Sequence, residues 1–127
     1  MKKIGQGLLC MLLLMGTTAC IRQTVHHGTR YLDHHSFHEV WRASIRAVNE
    51  IGFTVYSLDK SAGFIGAESG THIGQEVPPR LAIMISDVRG RIFVECRILQ
   101  KEFVDIFGHG RRTVRNFMTA LNLNLNS

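Results

Sequence analysis

The sequence predicts an α+β domain of two layers, an antiparallel four-stranded sheet with two helices on one face, in the order α-β-β-β-β-α. Three observations predict it: a 3.6-residue apolar period from Ser36 to Gly52, four segments of alternating apolar residues between Phe53 and Leu99, and a second helical period near the C terminus. The 127 residues leave room for one domain of ordinary size. Before that domain stand Met1-Lys2-Lys3, an apolar run from Ile4 to Met15, and the small residues Gly16-Thr17-Thr18-Ala19. This is the plan of a bacterial export signal, expected to occupy residues 1–19. The run is about a dozen residues, short of the roughly 20 that a spanning helix needs.

Residues 21–35 show no sustained period and are expected to form, with Cys20, a flexible tether over 20–35, leaving 36–127 as a single α+β domain. Such a tether would reach at most about 50 Å at 3.3–3.6 Å per residue. Folding is expected to begin at Ser36-Phe37-His38-Glu39, a capping box in which serine and glutamate satisfy each other's backbone amides. Phe37, Val40, Trp41, Ser44, Ile45, Val48 and Ile51 then share one helical face, Glu39, Arg42, Arg46, Asn49 and Glu50 the other, and Gly52 stands where a left-handed cap is wanted.

Phe53–Leu58 alternates and is rich in β-branched and aromatic residues, Asp59–Gly63 reads as a turn, and Phe64–Glu68 as the hairpin partner. After a polar loop over 69–79, Arg80–Asp87 and Arg91–Leu99 form the clearest hairpin. Leu81, Ile83 and Ile85 share one face of the third strand, and Ile92, Val94, Cys96 and Ile98 one face of the fourth. A second loop spans 100–110. Val114, Phe117, Met118 and Leu121 then place a helix over about 111–122, with the Asn-Leu tail frayed.

Thr17-Thr18-Ala19-Cys20, following the charged and apolar run, resembles the lipobox of bacterial lipoproteins, in which the cysteine is acylated before cleavage. The resemblance implies a lipidated Cys20, and Ile21 at the next position resembles the outer-membrane sorting pattern of enterobacterial lipoproteins. Two or three acyl chains, at about 0.8 kcal/mol per buried methylene, hold a protein stably to a bilayer. Thr17 and Ala19 also suit an ordinary signal peptidase, so the alternative is a soluble periplasmic protein. The phrases Phe37-His38-Glu39-Val40-Trp41, Gly52-Phe53, Asp59-Lys60 and Gly63-Phe64-Ile65 resemble the start of small envelope lipoproteins with a helix-grip fold. Domains of this kind occur in the C component of the outer-membrane β-barrel assembly machinery. Asp105-Ile106-Phe107-Gly108 before a closing helix resembles another set of short lipoproteins with the same layout. No catalytic residue comes with these resemblances.

Without residues 1–19 the chain keeps 13 Lys plus Arg against 10 Asp plus Glu, a net charge of +3. That is too mild to argue for nucleic acid. Three cysteines, of which lipidation would consume Cys20, exclude a disulfide framework and a four-cysteine zinc site.

Five of seven histidines, His26, His27, His34, His35 and His38, fall within thirteen residues. Neutral imidazoles are common ligands for zinc or copper, with Asp33 and Glu39 as possible additions, although the spacing meets no metal motif. Gly108-His109-Gly110-Arg111-Arg112 before a helix offers amides and guanidinium groups to a phosphate, a carboxylate or a partner protein. Thr113 breaks the dinucleotide fingerprint. Cys96 and Trp41 read as core residues, and neither Ser36 nor Ser44 belongs to a hydrolase phrase.

The sequence therefore points to a lipid-anchored outer-membrane protein facing the periplasm. It reads as a non-enzymatic binding or assembly-accessory module with no cofactor, held to the membrane by its lipid and partnered by another envelope protein or the cell wall. The alternative is a periplasmic lipoprotein that binds zinc or copper through its histidine-rich tether.

Overall fold

The capping box forms as the sequence requires. Ser36 is extended at φ −80° and ψ 159°, its hydroxyl accepts from the Glu39 amide at 3.2 Å, and the same hydroxyl donates to the Glu39 carboxylate at 3.2 Å. The computed structural model describes residues 23–70, 78–101 and 109–126, and within them the side chains of all but residues 23–26, 100, 101 and 109. Its elements in chain order are β1 (Gln23–Leu32), α1 (Phe37–Glu50), β2 (Phe53–Asp59), β3 (Phe64–Ser69), β4 (Arg80–Val88), β5 (Arg91–Lys101) and α2 (His109–Leu125). Gly52, at φ +89°, follows the end of α1 and donates to the Asn49 carbonyl at 3.1 Å, the capping position expected of it.

Among the described residues the strands form one antiparallel sheet in the order β1-β5-β4-β3-β2. Leu81, Ile83 and Ile85 of β4 and Ile92, Val94, Cys96 and Ile98 of β5 are buried on the face that α1 and α2 cover, as their alternation requires. α1 buries Val40, Trp41 and Val48 against that face, and Phe37 stacks on Trp41 with ring centroids 6.1 Å apart. Ser44 is buried as its place on the apolar face of α1 requires, and Ala43 and Ala47 are buried as well. The apolar stripe is wider than predicted because α1 packs on two surfaces, the sheet and α2.

The turns tie the strands to one another. Asp59 accepts from the Ser61 hydroxyl at 2.7 Å and the Ala62 amide at 3.2 Å, which turns the chain from β2 to β3. At Gly63, φ +72°, an added Cβ would lie 2.0 Å from the Ile85 carbonyl oxygen, and the Gly63 carbonyl accepts from the Ile85 amide at 2.8 Å. Only glycine lets that turn sit against β4. Val88 pairs with Arg91, so β4 and β5 are joined by the two residues Arg89 and Gly90, both at positive φ, the twist-matched hairpin turn.

Three expectations are corrected. The sheet has five strands, because residues 23–32 of the supposed tether pair with β5 from Gln23 opposite Lys101 to Leu32 opposite Ile92. The folded domain consequently begins at Gln23, well before Ser36. The strand escapes a hydrophobicity reading because, of the positions on its helix side, Gly28 and Arg30 are not apolar and Leu32 alone is a buried hydrophobe. Its register also explains the glycine: a Cβ at Gly28 would come 2.6 Å from Cγ1 of Val114 in α2. A side chain there would hold the helix off the sheet. Finally, the Asn-Leu tail is helical to Leu125, held where the Asn124 amide donates to the Ala120 carbonyl at 2.8 Å and to the Glu50 carboxylate at 3.0 Å.

Gly28→Ala is predicted to cost about 1–3 kcal/mol in urea denaturation, the usual cost of overpacking a filled core. In a Val114→Ala background, where the clashing methyl is gone, the same substitution is predicted to cost little. Equal costs in the two backgrounds would remove the contact from the account.

Candidate functional site: a cationic groove between the helices

Spacing of four along α1 sets His38, Arg42 and Arg46 in a row. Beside that row, where the C-terminal turn of α2 meets α1, lies a groove of about 250 Å³ lined by these three residues with Glu39, Ala43, Asn124 and Leu125. The acid that lines it, Glu39, and the nearby Glu50 are both hydrogen-bonded. The Glu39 carboxylate meets His35 Nδ1 at 3.2 Å and the Ser36 hydroxyl, and the bonds from His35 and the Ser36 amide hold its carboxyl below the usual range. The Glu50 carboxylate accepts from Asn124.

Arg42 and Arg46 are exposed and make no hydrogen bond or ion pair with any described residue. Lys60 reaches the edge of the groove, its Nζ hydrogen-bonded to His38 Nδ1 at 2.9 Å. Two guanidinium groups that pair with no described acid, an imidazole and an ammonium thus stand along the groove together with the Glu39 carboxylate, and guanidinium groups are the side chains best shaped to pair with carboxylates. Arg42 and Arg46 lie on the polar face of α1, as their spacing predicts. Their four-residue spacing was visible, but the arrival of Asn124 and Leu125, which turns the face into a groove, was not.

The candidate metal ligands do not assemble. His27 lies in β1 and is exposed, His34 follows the strand at φ +69°, and the side chain of His26 lies outside those described. His35 is taken by Glu39 and His38 by Lys60. Asp33 accepts from Arg91 Nε at 2.7 Å, and that bond holds its carboxyl below the ordinary range. No group of three or more potential ligands converges among the described residues. Formation of β1 contributes by holding His27 in a strand, and His35 and His38, beyond it, are held by Glu39 and Lys60.

The second candidate also changes character. β5 runs on through Lys101 and α2 starts at His109, so His109, Gly110, Arg111 and Arg112 belong to the first turn of α2 and do not form a loop before it. Gly110 is buried and both arginines are exposed. Cys20, the signal segment 1–19, residues 71–77 of the first expected loop and Asp105–Gly108 lie outside the described residues. Cys96 is fully buried, as a core thiol should be, and burial pushes its pKa up to about 12. Ser44 is buried in α1 and its hydroxyl has no hydrogen-bond partner. No helix among the described residues is long and apolar enough to cross a membrane.

A sheet of this order with α2 laid across β1 and β5 defines a helix-grip domain. The crystal structure of Ara h 8.0201 matches it with a TM-score of 0.52 over 82% of this chain and 100% of its own, at 9% sequence identity. An uncharacterized protein from Rhizobium leguminosarum aligns over 84% of this chain and 99% of its own, at a TM-score of 0.37 and 12% identity. No protein-family model and no curated protein matches the chain. The first structural likeness supports the fold and carries no activity with it.

Burial of Cys96 leads to a direct expectation. In the mature chain with Cys20→Ser, a maleimide at pH 8 should leave Cys96 unmodified in buffer and label it fully in denaturant. Rapid labelling of the native protein would place the thiol at a reactive, exposed site.

Proposed function

We propose that this chain is the precursor of a lipid-anchored protein of the bacterial outer membrane, a non-enzymatic binding or assembly-accessory module that faces the periplasm. The observation that carries the binding role is the interhelical groove, in which Arg42 and Arg46 pair with no acid among the described residues and the lining carboxylate of Glu39 is hydrogen-bonded to His35 and Ser36. An acidic segment of another envelope protein or a cell-wall carboxylate is the chemistry such a groove receives. Support for the anchor comes from Thr17-Thr18-Ala19-Cys20 after a basic and apolar leader. The likeness of the α1 and first-hairpin phrases to helix-grip lipoproteins, including the C component of the β-barrel assembly machinery, supports an accessory role in assembly.

Two variants test the two halves of this reading. Cys20→Ser should remove the acyl mass and release the protein from the membrane fraction or leave it uncleaved. A soluble wild-type protein without lipid would overturn the anchor. Arg42→Glu with Arg46→Glu should leave membrane fractionation and melting unchanged while abolishing the partner recovered by crosslinking in intact cells. Undiminished recovery would move the binding role away from the groove.

A further inference from the structure

We infer that the domain rests directly on the bilayer, with a cationic corner formed by β1 and α2 set against anionic lipid headgroups. The inference rests on the lipidated Cys20 of the proposed function and deepens it. β1 begins at Gln23, so only residues 20–22 separate the acylated residue from the sheet. At 3.3–3.6 Å per residue they span at most about 10 Å, less than the thickness of the domain itself. An anchor this short gives the domain no freedom to stand away from the membrane, and it fixes which edge lies nearest. Strand order makes β1 one edge of the sheet and β2 the other.

Within β1 and α2 themselves the charge is of one sign, while Asp33, just beyond β1, is paired with Arg91. Residues 20–32 contain Arg22 and Arg30 and no carboxylate, and the whole of α2, from His109 to Leu125, contains Arg111, Arg112 and Arg115 and no carboxylate. The structure brings the two elements together, since Val114 and Met118 lie over Gly28. Arg30 is two residues from Gly28 and so on the same side of β1, and it is exposed, as are Arg111, Arg112 and Arg115. Glu102 and Asp105, in the segment between β5 and α2, lie outside the described residues.

Basic residues in the first turn of α2 oppose the helix dipole, an arrangement that an anionic surface would relieve. Each arginine at such a surface strengthens association by about fivefold, an effect confined to roughly a Debye length. A spacer of about 10 Å or less holds the start of β1 at the surface, and with β1 lying along the bilayer the corner at Gly28 and Arg30, about 17–23 Å further along the strand, comes within that range.

Acylated full-length protein reconstituted in phosphatidylethanolamine vesicles containing phosphatidylglycerol and a nitroxide-headgroup lipid tests the inference. A fluorophore at Asn116→Cys, beside Arg115, is compared with one at Ser61→Cys in the β2–β3 turn at the opposite edge. The Asn116 label should be quenched several times more strongly. The difference should shrink with Arg111→Ala and Arg115→Ala together, and should vanish when ten Gly-Ser residues are inserted after Ile21. Equal quenching of the two labels in a protein whose mass includes the lipid would overturn this inference alone. A mass without lipid would overturn the lipoprotein reading and this inference with it.

Discussion

The structure depends on the pairing of β1 with β5. That ladder makes β5 an inner strand, satisfying backbone groups that would otherwise line an open edge, and it widens the apolar floor on which α2 lies. The helix can use the floor because Gly28 has no side chain where Val114 comes down. On the opposite face of the sheet, Tyr31 packs on Phe93 with centroids 4.9 Å apart and Arg91 lies over the Tyr31 ring at 4.7 Å while binding Asp33. These contacts are exposed, so the ladder and the helix contact hold the strand and the aromatic pair sets its register.

The groove is a consequence of the same arrangement. With α2 seated across β1 and β5, its last turn reaches α1, where Asn124 takes Glu50 and Leu125 packs against the core. α1 is in turn held by its Ser36 cap and by Trp41 in the core, so its outer row of His38, Arg42 and Arg46 has a fixed orientation. Glu39 is turned toward His35 and Ser36, so its carboxylate, which stays ionised, forms no ion pair with Arg42 or Arg46.

How far the sequence could be read follows from where burial is one-sided. β4 and β5 bury every second residue, α1 and α2 bury a helical stripe, and the capping box and hairpin turns are local chemistry, so these elements were legible. β1 was not, because an edge strand beneath a closely packed helix carries glycine where a pattern search looks for an apolar residue. The histidines are close in sequence, but among the described side chains His27 lies in β1 while His35 and His38 are engaged by Glu39 and Lys60, an arrangement that spacing alone does not encode. The groove depends on a contact between residues 39–46 and 124–125 that no local pattern encodes. Cys20, in contrast, rests on its sequence context alone.

The most direct test of the account is amide hydrogen exchange on the mature protein, resolved to single residues in β1 and β5. The β1 amides that donate to β5 should exchange as slowly as those of β5 itself, and Gly28→Val should speed exchange in β1 and in α2 together, because each holds the other in place. Exchange of residues 23–32 at the rate of an unprotected chain, with β5 still protected, would contradict the account and restore the segment to a tether.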